Sequence, residues 1–289
     1  MTPFDGALGR SWHEVRGYVR ERGFRSAVRE VVGAFERNDL LTYASAISYQ
    51  LLFALIPSLL AAVAVLGFLD LEDVWRNELV PELGDRLSEP ALELLNDTVT
   101  QVLTTQRGYW LTFGVLFALW QVSGAVRAAI GALNAIYEVE EDRSFVNRLL
   151  VSIACAAIFF VGVAIAVVAL QVAPRLAVAA DGGWAHWLAR GVGWVVAFVV
   201  LVALSAILLR LAPATPQPAP WLGFVTAVVV AGWLVTSALF ASWIAWVVSY
   251  SAVYGSFAAV ILLMTYLYLL AVVFLAGVQL DALVRKTSD

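Results

Sequence analysis

Residues 39–69 read DLLTYASAISYQLLFALIPSLLAAVAVLGFL, and the run from 40 to 69 contains no charged residue. In a helix these residues would rise about 45 Å, whereas a bilayer core of about 30 Å requires only about 20 residues. The stretch therefore predicts a membrane-spanning helix that is long enough to tilt.

The first half of this helix is unusually polar. One stripe carries Asp39, Tyr43, Gln50 and Pro57, with Thr42, Ser45, Ser48 and Tyr49 beside it. The remaining arc, formed by Ala44, Ile47, Leu51, Ala54 and Leu55, is predicted to face lipid, because hydroxyl and amide groups in hydrocarbon would lack partners. The polar arc then either packs against other helices or lines a substrate route. Pro57 is either a structural kink or a moving hinge.

The composition is that of an integral membrane protein. Hydrophobic residues make up 62% of the 289 residues and charged residues only 14%. Eleven Trp and nine Tyr suit anchoring at the two membrane interfaces. The single cysteine, Cys155, excludes a disulfide framework within the chain.

Five further apolar runs predict spans at residues 109–133, 149–172, 187–211, 221–248 and 256–282. Six spans place both termini on one side of the membrane. Thirteen of the Lys and Arg residues fall on that side and five on the other. The positive-inside rule then predicts cytoplasmic termini. The predicted fold is an all-α membrane protein with six transmembrane helices, and amphipathic helices at the N-terminus and in the first external loop.

The predicted organisation has three parts. Residues 1–38 form a cytoplasmic amphipathic segment, whose seven arginines suit an anionic inner leaflet better than a nucleic acid, since four glutamates interrupt them. Residues 39–284 form the six-helix domain, and 285–289 form a cytoplasmic tail. The external helical insertion at 70–108 holds nine carboxylates against three arginines. It is either an ordinary solvated loop or a mouth that gathers cations.

The second span carries one charge within its apolar run. Arg127 shares a helical face with Trp120, Gly124, Gly131 and Asn134. We expect it near the inner interface, where it either reaches lipid headgroups or pairs with Asp39 or Asp281. The sixth span ends in Gly277 and Asp281, close to the inner face.

Residue patterns for catalysis are missing from the sequence. The two histidines, at positions 13 and 186, lie far apart, and no phosphate-binding glycine loop is present. Gly255-Ser256 is a predicted turn with no histidine nearby in sequence. We expect no metal, no cofactor and no enzymatic activity.

Three segments resemble the YihY/BrkB family of bacterial inner-membrane proteins. They are YASAISYQLLFALIPSLLAAVAVLG, the region from Trp120 to Tyr137-Glu138-Val139-Glu140, and YGSFAAVILLMTYLYLLAVVFLAGVQLDAL, whose structural motif includes Tyr254, Gly255, Ser256 and Gly277. The resemblance covers about residues 25–285. Gln279 stands where the family has an acidic residue, and Asp281 where it has an amide. The resemblance implies six transmembrane helices, a plasma-membrane location and a role in envelope integrity, serum resistance or export. It also brings a ribonuclease label, which the missing His/Asp cluster argues against.

The resulting functional hypothesis is a non-enzymatic protein that moves a lipid-like or other amphipathic solute. The residues predicted to line the substrate path, or to form a polar bundle core, are Tyr43, Tyr49, Gln50, Pro57, Arg127, Asn134 and Asp281. The alternative is a scaffold for envelope assembly, and an enzyme ranks third. Membrane lipids are the expected partners, nucleic acid is not, and a homo-oligomer remains open.

Overall fold

The computed structural model describes residues 20, 23–68, 75, 80–84, 92–93, 96–97, 99–100, 107–178, 183–215, 219–246 and 257–288. Within these ranges the regular secondary structure is helical, which confirms the all-α class. The helices in chain order are α1 (Phe24–Arg37), α2 (Leu40–Phe68), α3 (Val80–Gly84), α4 (Arg107–Ile136), α5 (Phe145–Val178), α6 (Gly183–Leu211), α7 (Ala219–Trp246) and α8 (Phe257–Ser288).

Six helices, α2 and α4 to α8, are long and apolar enough to cross a membrane, which confirms the six predicted spans. Helix α5 begins at Phe145 instead of residue 149, so the loop predicted at 138–148 is shorter. The cause is local. The Asn147 N–H donates to Ser144 Oγ at 3.3 Å, as in a helix N-cap.

The chain divides into two compact units, one formed by residues 1–49 with 123–289 and the other by 50–122. In the larger unit α5 packs along α6, α7 packs against α6 and α8, and α1 packs against α8. In the smaller unit the backbones of α2 and α4 approach closely at Gly114. A Cβ added there would lie only 2.9 Å from the backbone nitrogen of Ala61.

Helices α7 and α8 are held together by a small residue and a hydrogen bond. A Cβ added at Gly277 would lie 2.7 Å from Val229 Cγ2, so a larger residue would require the Val229 side chain to shift. Nearby, Trp233 Nε1 donates to the backbone oxygen of Leu270 at 2.8 Å. Gly277 therefore serves the packing of the sixth span against the fifth.

The arc of α2 that was predicted to face lipid is mostly buried, and that prediction is wrong. Ala44 is 0% exposed, Ile47 8% and Ala54 4%, although Leu55 does lie on the surface at 38%. Tyr49, predicted to face inward, is 49% exposed. Small alanines permit close helix contact, so size contributes to the buried face of α2 as well as polarity.

The two serines of α2 differ in exposure: Ser48 is buried at 1%, as predicted, whereas Ser45 is exposed. Ser45 Oγ donates to Leu41 O and Ser48 Oγ to Ser45 O, each at 2.9 Å. Because both hydroxyls bond to carbonyl groups of their own helix, neither requires a partner on another helix.

Candidate functional site

Arg127 is fixed inside the second span by hydroxyl groups. It lies nine residues before α4 ends at Ile136, a distance of about 14 Å along the helix axis. Its Nη1 atom donates to Ser123 Oγ at 2.8 Å, one turn earlier, and makes a longer contact of 3.4 Å with Ser152 Oγ on α5. Both serines are fully buried, at 0% exposure. The structure therefore places a cation at the boundary between α4 and α5.

Tyr43 lies against the same helix, one turn further on. A Cβ added at Gly131 would lie 2.7 Å from Tyr43 Cε1 and 3.3 Å from its hydroxyl oxygen. The absence of a side chain at Gly131 is what admits the ring. Since positions 127 and 131 are four residues apart, Tyr43 occupies the turn adjacent to Arg127.

Asp281 forms an ion pair with Arg285, not with Arg127 as one of our expectations had it. The Asp281 side chain is fully buried, and its Oδ2 lies 2.7 Å from Arg285 Nη2, one turn later on α8. The same oxygen accepts a long hydrogen bond of 3.5 Å from the hydroxyl of Tyr137. Arg285 also lies over the Tyr137 ring, 5.6 Å from its centroid. Burial, and then the charge of Asp281, raises the pKa of Tyr137, so this phenol stays neutral.

Asn134 links the end of α4 to the loop after it and to the segment after α6. Its Nδ2 donates to Glu141 Oε2 at 2.8 Å, and its Oδ1 accepts from the backbone N–H of Ala214 at 2.9 Å. Asn134 is only 7% exposed, so both ends of its amide are used in a buried setting. The path role predicted for Asn134 stays untested, while its contacts fasten three segments.

Arg143 extends this link to the C-terminal end of α6. It binds both oxygens of Glu141, with Nε at 2.7 Å and Nη2 at 2.9 Å. It also donates to the backbone oxygens of Ala212 at 2.7 Å and Leu211 at 3.3 Å. A cation is favourable at a helix C-terminus, where carbonyl groups lack helical partners. The hydrogen bonds from Arg143 lower the pKa of Glu141, which stays ionised.

We refer to Asn134, Tyr137, Glu141, Arg143, Asp281 and Arg285 together as the terminal polar cluster. It lies where α4, α6 and α8 end. Asn38 approaches the same end, since its Nδ2 donates to Gln279 Oε1 at 3.1 Å. Gln279 and Asp281 are 3% and 1% exposed. Gln279 thus bonds to Asn38, whereas Asp281 pairs with Arg285.

The remaining predicted path residues, all on α2, differ in exposure. Tyr49 is about half exposed, Gln50 is half-buried and Pro57 is buried within an uninterrupted helix. Tyr254, Gly255 and Ser256, which belong to the predicted structural motif and not to the path, lie outside the described residues. The assignment of the α2 residues to a path stays a prediction.

The sequence analysis did not select Ser152, Glu141, Arg143 or Arg285 as site residues, nor Arg148, which lies one turn before Ser152 on α5. One signal was available. Ser123 and Arg127, and likewise Arg148 and Ser152, are four residues apart on consecutive spans, which places each pair on one helical face. The contacts of Arg143 had no comparable signal, because they depend on how a loop folds back.

Among the described residues, no group of three or more His, Cys, Asp or Glu side chains could hold a metal ion. Six long apolar helices, with ionisable side chains concentrated where several of them end, define a multi-pass α-helical membrane protein.

Comparison with known proteins gives the family. Residues 31–289 match the model of the family described as virulence factor BrkB, so the chain belongs to this family, as the sequence resemblance predicted. A relative from Bacillus subtilis, which carries the provisional name ribonuclease-like protein YfkH, is 27% identical over 270 residues. That match covers 90% of this chain and 96% of the relative. No solved structure matches the chain significantly.

Proposed function

We propose that this protein translocates a lipid-like or other amphipathic solute across the bacterial plasma membrane. The observation that carries the proposal is Arg127, a guanidinium inside a span that is held by two buried serines. A charged side chain within a span is costly and usually marks a pathway for a polar group. Arginine suits an anionic solute, because its planar fork matches carboxylate and phosphate groups.

The proposed topology has both termini in the cytoplasm. The basic residues support it, because Arg143 binds the end of α6 and Arg285 binds Asp281 in the same terminal polar cluster. Cytoplasmic ends of membrane helices carry an excess of such residues. A reporter active only in the cytoplasm, fused after residue 289, should give signal, whereas a reporter active only outside should not.

A scaffold for envelope assembly is the second candidate. It is favoured by Tyr49, which is 49% exposed and so presents an aromatic ring outward from the helix predicted to line the path. An outward tyrosine suits contact with a partner helix or with lipid. A scaffold would support envelope integrity without moving any solute.

The proposal is tested by reconstituting the full chain into liposomes that contain a fluorescent anionic phospholipid. Wild-type protein should carry labelled lipid between leaflets, so that a quencher added outside removes more fluorescence than it does from protein-free vesicles. The variant Arg127→Ala with Gln50→Leu should reduce this transfer, while Arg210→Gln, an exposed arginine in the last turn of α6, should not. Equal signals from wild-type and protein-free vesicles would reject transport and favour the scaffold.

The name of YfkH raises an enzymatic alternative, and we propose that this chain is not a ribonuclease. The same purified protein, incubated with RNA, should release no fragments beyond a mock preparation. Cleavage abolished by a substitution in the terminal polar cluster would reverse this assignment.

A further inference from the structure

A second arginine lies beside the Arg127 site, on the facing helix. Arg148 is four residues before Ser152 on α5, so the two share one face on successive turns. Ser152 is the residue of α5 that Arg127 contacts. Two Ser/Arg pairs, Ser123 with Arg127 and Arg148 with Ser152, therefore face each other across the two helices. We call these four residues the two-arginine site.

Because Arg127 contacts Ser152 and Arg148 lies one helical turn before Ser152, the two positive charges are neighbours. Like charges repel, and the repulsion is strong where lipid and packed helices keep the dielectric constant low. Hydroxyl groups can accept hydrogen bonds from such cations, but they carry no compensating charge. The arrangement would be stabilised by an anion bound between the two arginines.

The second observation is an unsatisfied donor at this position. Arg148 Nε is buried and has no hydrogen-bond partner among the described residues. A buried charged donor without an acceptor is costly, and structures rarely leave one. An anionic oxygen at this position would remove that cost. The missing acceptor at Arg148 Nε and the repulsion between two neighbouring cations both favour an anionic oxygen at this position.

The depth of the two arginines indicates the kind of molecule that carries the anion. Arg148 is three residues from the start of α5 and Arg127 nine from the end of α4. These offsets correspond to about 5 Å and about 14 Å along the helices. The site thus extends from the membrane interface into the span, where a lipid headgroup can enter while its acyl chains stay in hydrocarbon.

We propose that the two-arginine site binds the phosphate of an anionic amphiphile. This inference deepens the transport proposal, on which it rests, by naming the substrate class. Phosphate presents several oxygens, so Arg127 and Arg148 can each donate to it while Ser123 and Ser152 orient the guanidinium groups. A headgroup would then contact Arg148 first and Arg127 second as it moves inward.

The test is equilibrium binding to the purified full chain in a neutral detergent, measured by native mass spectrometry. The probes are phosphatidylglycerol, phosphatidylcholine with the same acyl chains, and inorganic phosphate as competitor. Wild-type protein should retain phosphatidylglycerol more tightly than phosphatidylcholine. Arg127→Gln and Arg148→Gln should each weaken phosphatidylglycerol binding about tenfold or more, as expected for loss of a charged hydrogen bond.

Arg210→Gln is the matched control, because Arg210 is exposed near the same ends of the helices. It should leave lipid binding unchanged. Equal binding by wild type and both site variants would overturn the inference, as would equal retention of the two lipids. Displacement by inorganic phosphate, with no dependence on acyl chains, would identify free phosphate as the ligand and overturn the lipid assignment.

Stability separates a binding arginine from a structural one. Since Arg148 Nε has no partner among the residues that the structure describes, Arg148→Gln should keep or raise the melting temperature measured without lipid. A marked fall would mean that Arg148 is structural and would overturn its assignment to the site. If Arg127→Gln fails to fold, Ser152→Ala and Arg148→Lys test the same contacts.

The two proposals can fail independently. If phosphatidylglycerol binds at the two-arginine site but no lipid crosses the liposome membrane, the transport proposal is wrong and the site stands. If lipid crosses at the same rate in wild type and Arg148→Gln, the site inference is wrong and transport stands.

Discussion

The ion pair between Asp281 and Arg285 should contribute far more to stability than the pair between Glu138 and Lys286. Both pairs lie near the end of α8. The Asp281 side chain is 0% exposed and that of Arg285 is 16% exposed, whereas Glu138 and Lys286 are 67% and 54% exposed. We predict that Asp281→Leu destabilises the protein strongly and that Glu138→Gln does not.

The expected magnitudes follow from these exposures. Removing one partner of a buried pair leaves an uncompensated charge and costs about 3–5 kcal/mol. The Tyr137 ring beside Arg285 offsets only a small part of this cost. An exposed pair contributes about 0–1 kcal/mol, because water screens it and both side chains lose freedom. The double variant Asp281→Leu with Arg285→Met removes both charges, so most of the lost stability should return.

Intrinsic tryptophan fluorescence during heating in detergent measures these differences, since the chain has eleven tryptophans. Wild type, both single variants of the buried pair, the double variant and Glu138→Gln should be compared under one set of conditions. The double variant should unfold at a higher temperature than Asp281→Leu alone. If Asp281→Leu lowers the unfolding temperature no more than Glu138→Gln does, the buried ion pair does not stabilise the fold.

Three further predictions concern packing and the loop after α4. Gly114→Ala should lower the free energy of unfolding by about 1–3 kcal/mol, because its Cβ would meet the backbone of another helix. Gly191→Ala is the control: its Cβ would meet nothing within 4 Å, so this variant should be neutral or stabilising. Thermal unfolding of the two variants measures the difference. Asn134→Leu should cost about 1–3 kcal/mol, since it leaves the Ala214 N–H without its acceptor, and proteolysis at residues 139–144 should increase. Because folding lowers the pKa of Glu141, this residue stabilises the folded protein fully above the ordinary carboxyl pKa, and the stabilisation is lost as pH falls through the pKa of the folded state. The melting temperature of Glu141→Gln should therefore fall less on acidification than that of wild type.

The positions of the spans could be predicted from the sequence because hydrophobic length alone determines them. The uncharged run at 40–69 became helix Leu40–Phe68, and the predicted end of the fourth span coincides with the end of α6 at Leu211. The start of α5 differs from the prediction, because Ser144 provides a cap for it. Such contacts depend on a few atoms and leave little trace in hydropathy.

Polarity predicted only part of the buried face of α2. Ser48 does lie on the buried face, at 1% exposure, but Ser45, which suggested the same face, is exposed and bonds to its own helix. Ala44 occupies the buried face because it is small, a property that packing uses and polarity does not show. The pairing of Asp281 with Arg285 was missed for a related reason: a partner one turn away on the same helix competes with distant ones.

The central claim is that a phosphate-bearing amphiphile occupies the two-arginine site. The most direct measurement is an experimental structure of the full chain in nanodiscs made with phosphatidylglycerol. We predict density for a lipid phosphate between α4 and α5, with an oxygen about 3 Å from Arg148 Nε. A structure in which Arg148 Nε instead bonds to a carboxylate of the protein, with no phosphate beside Arg127, would contradict it.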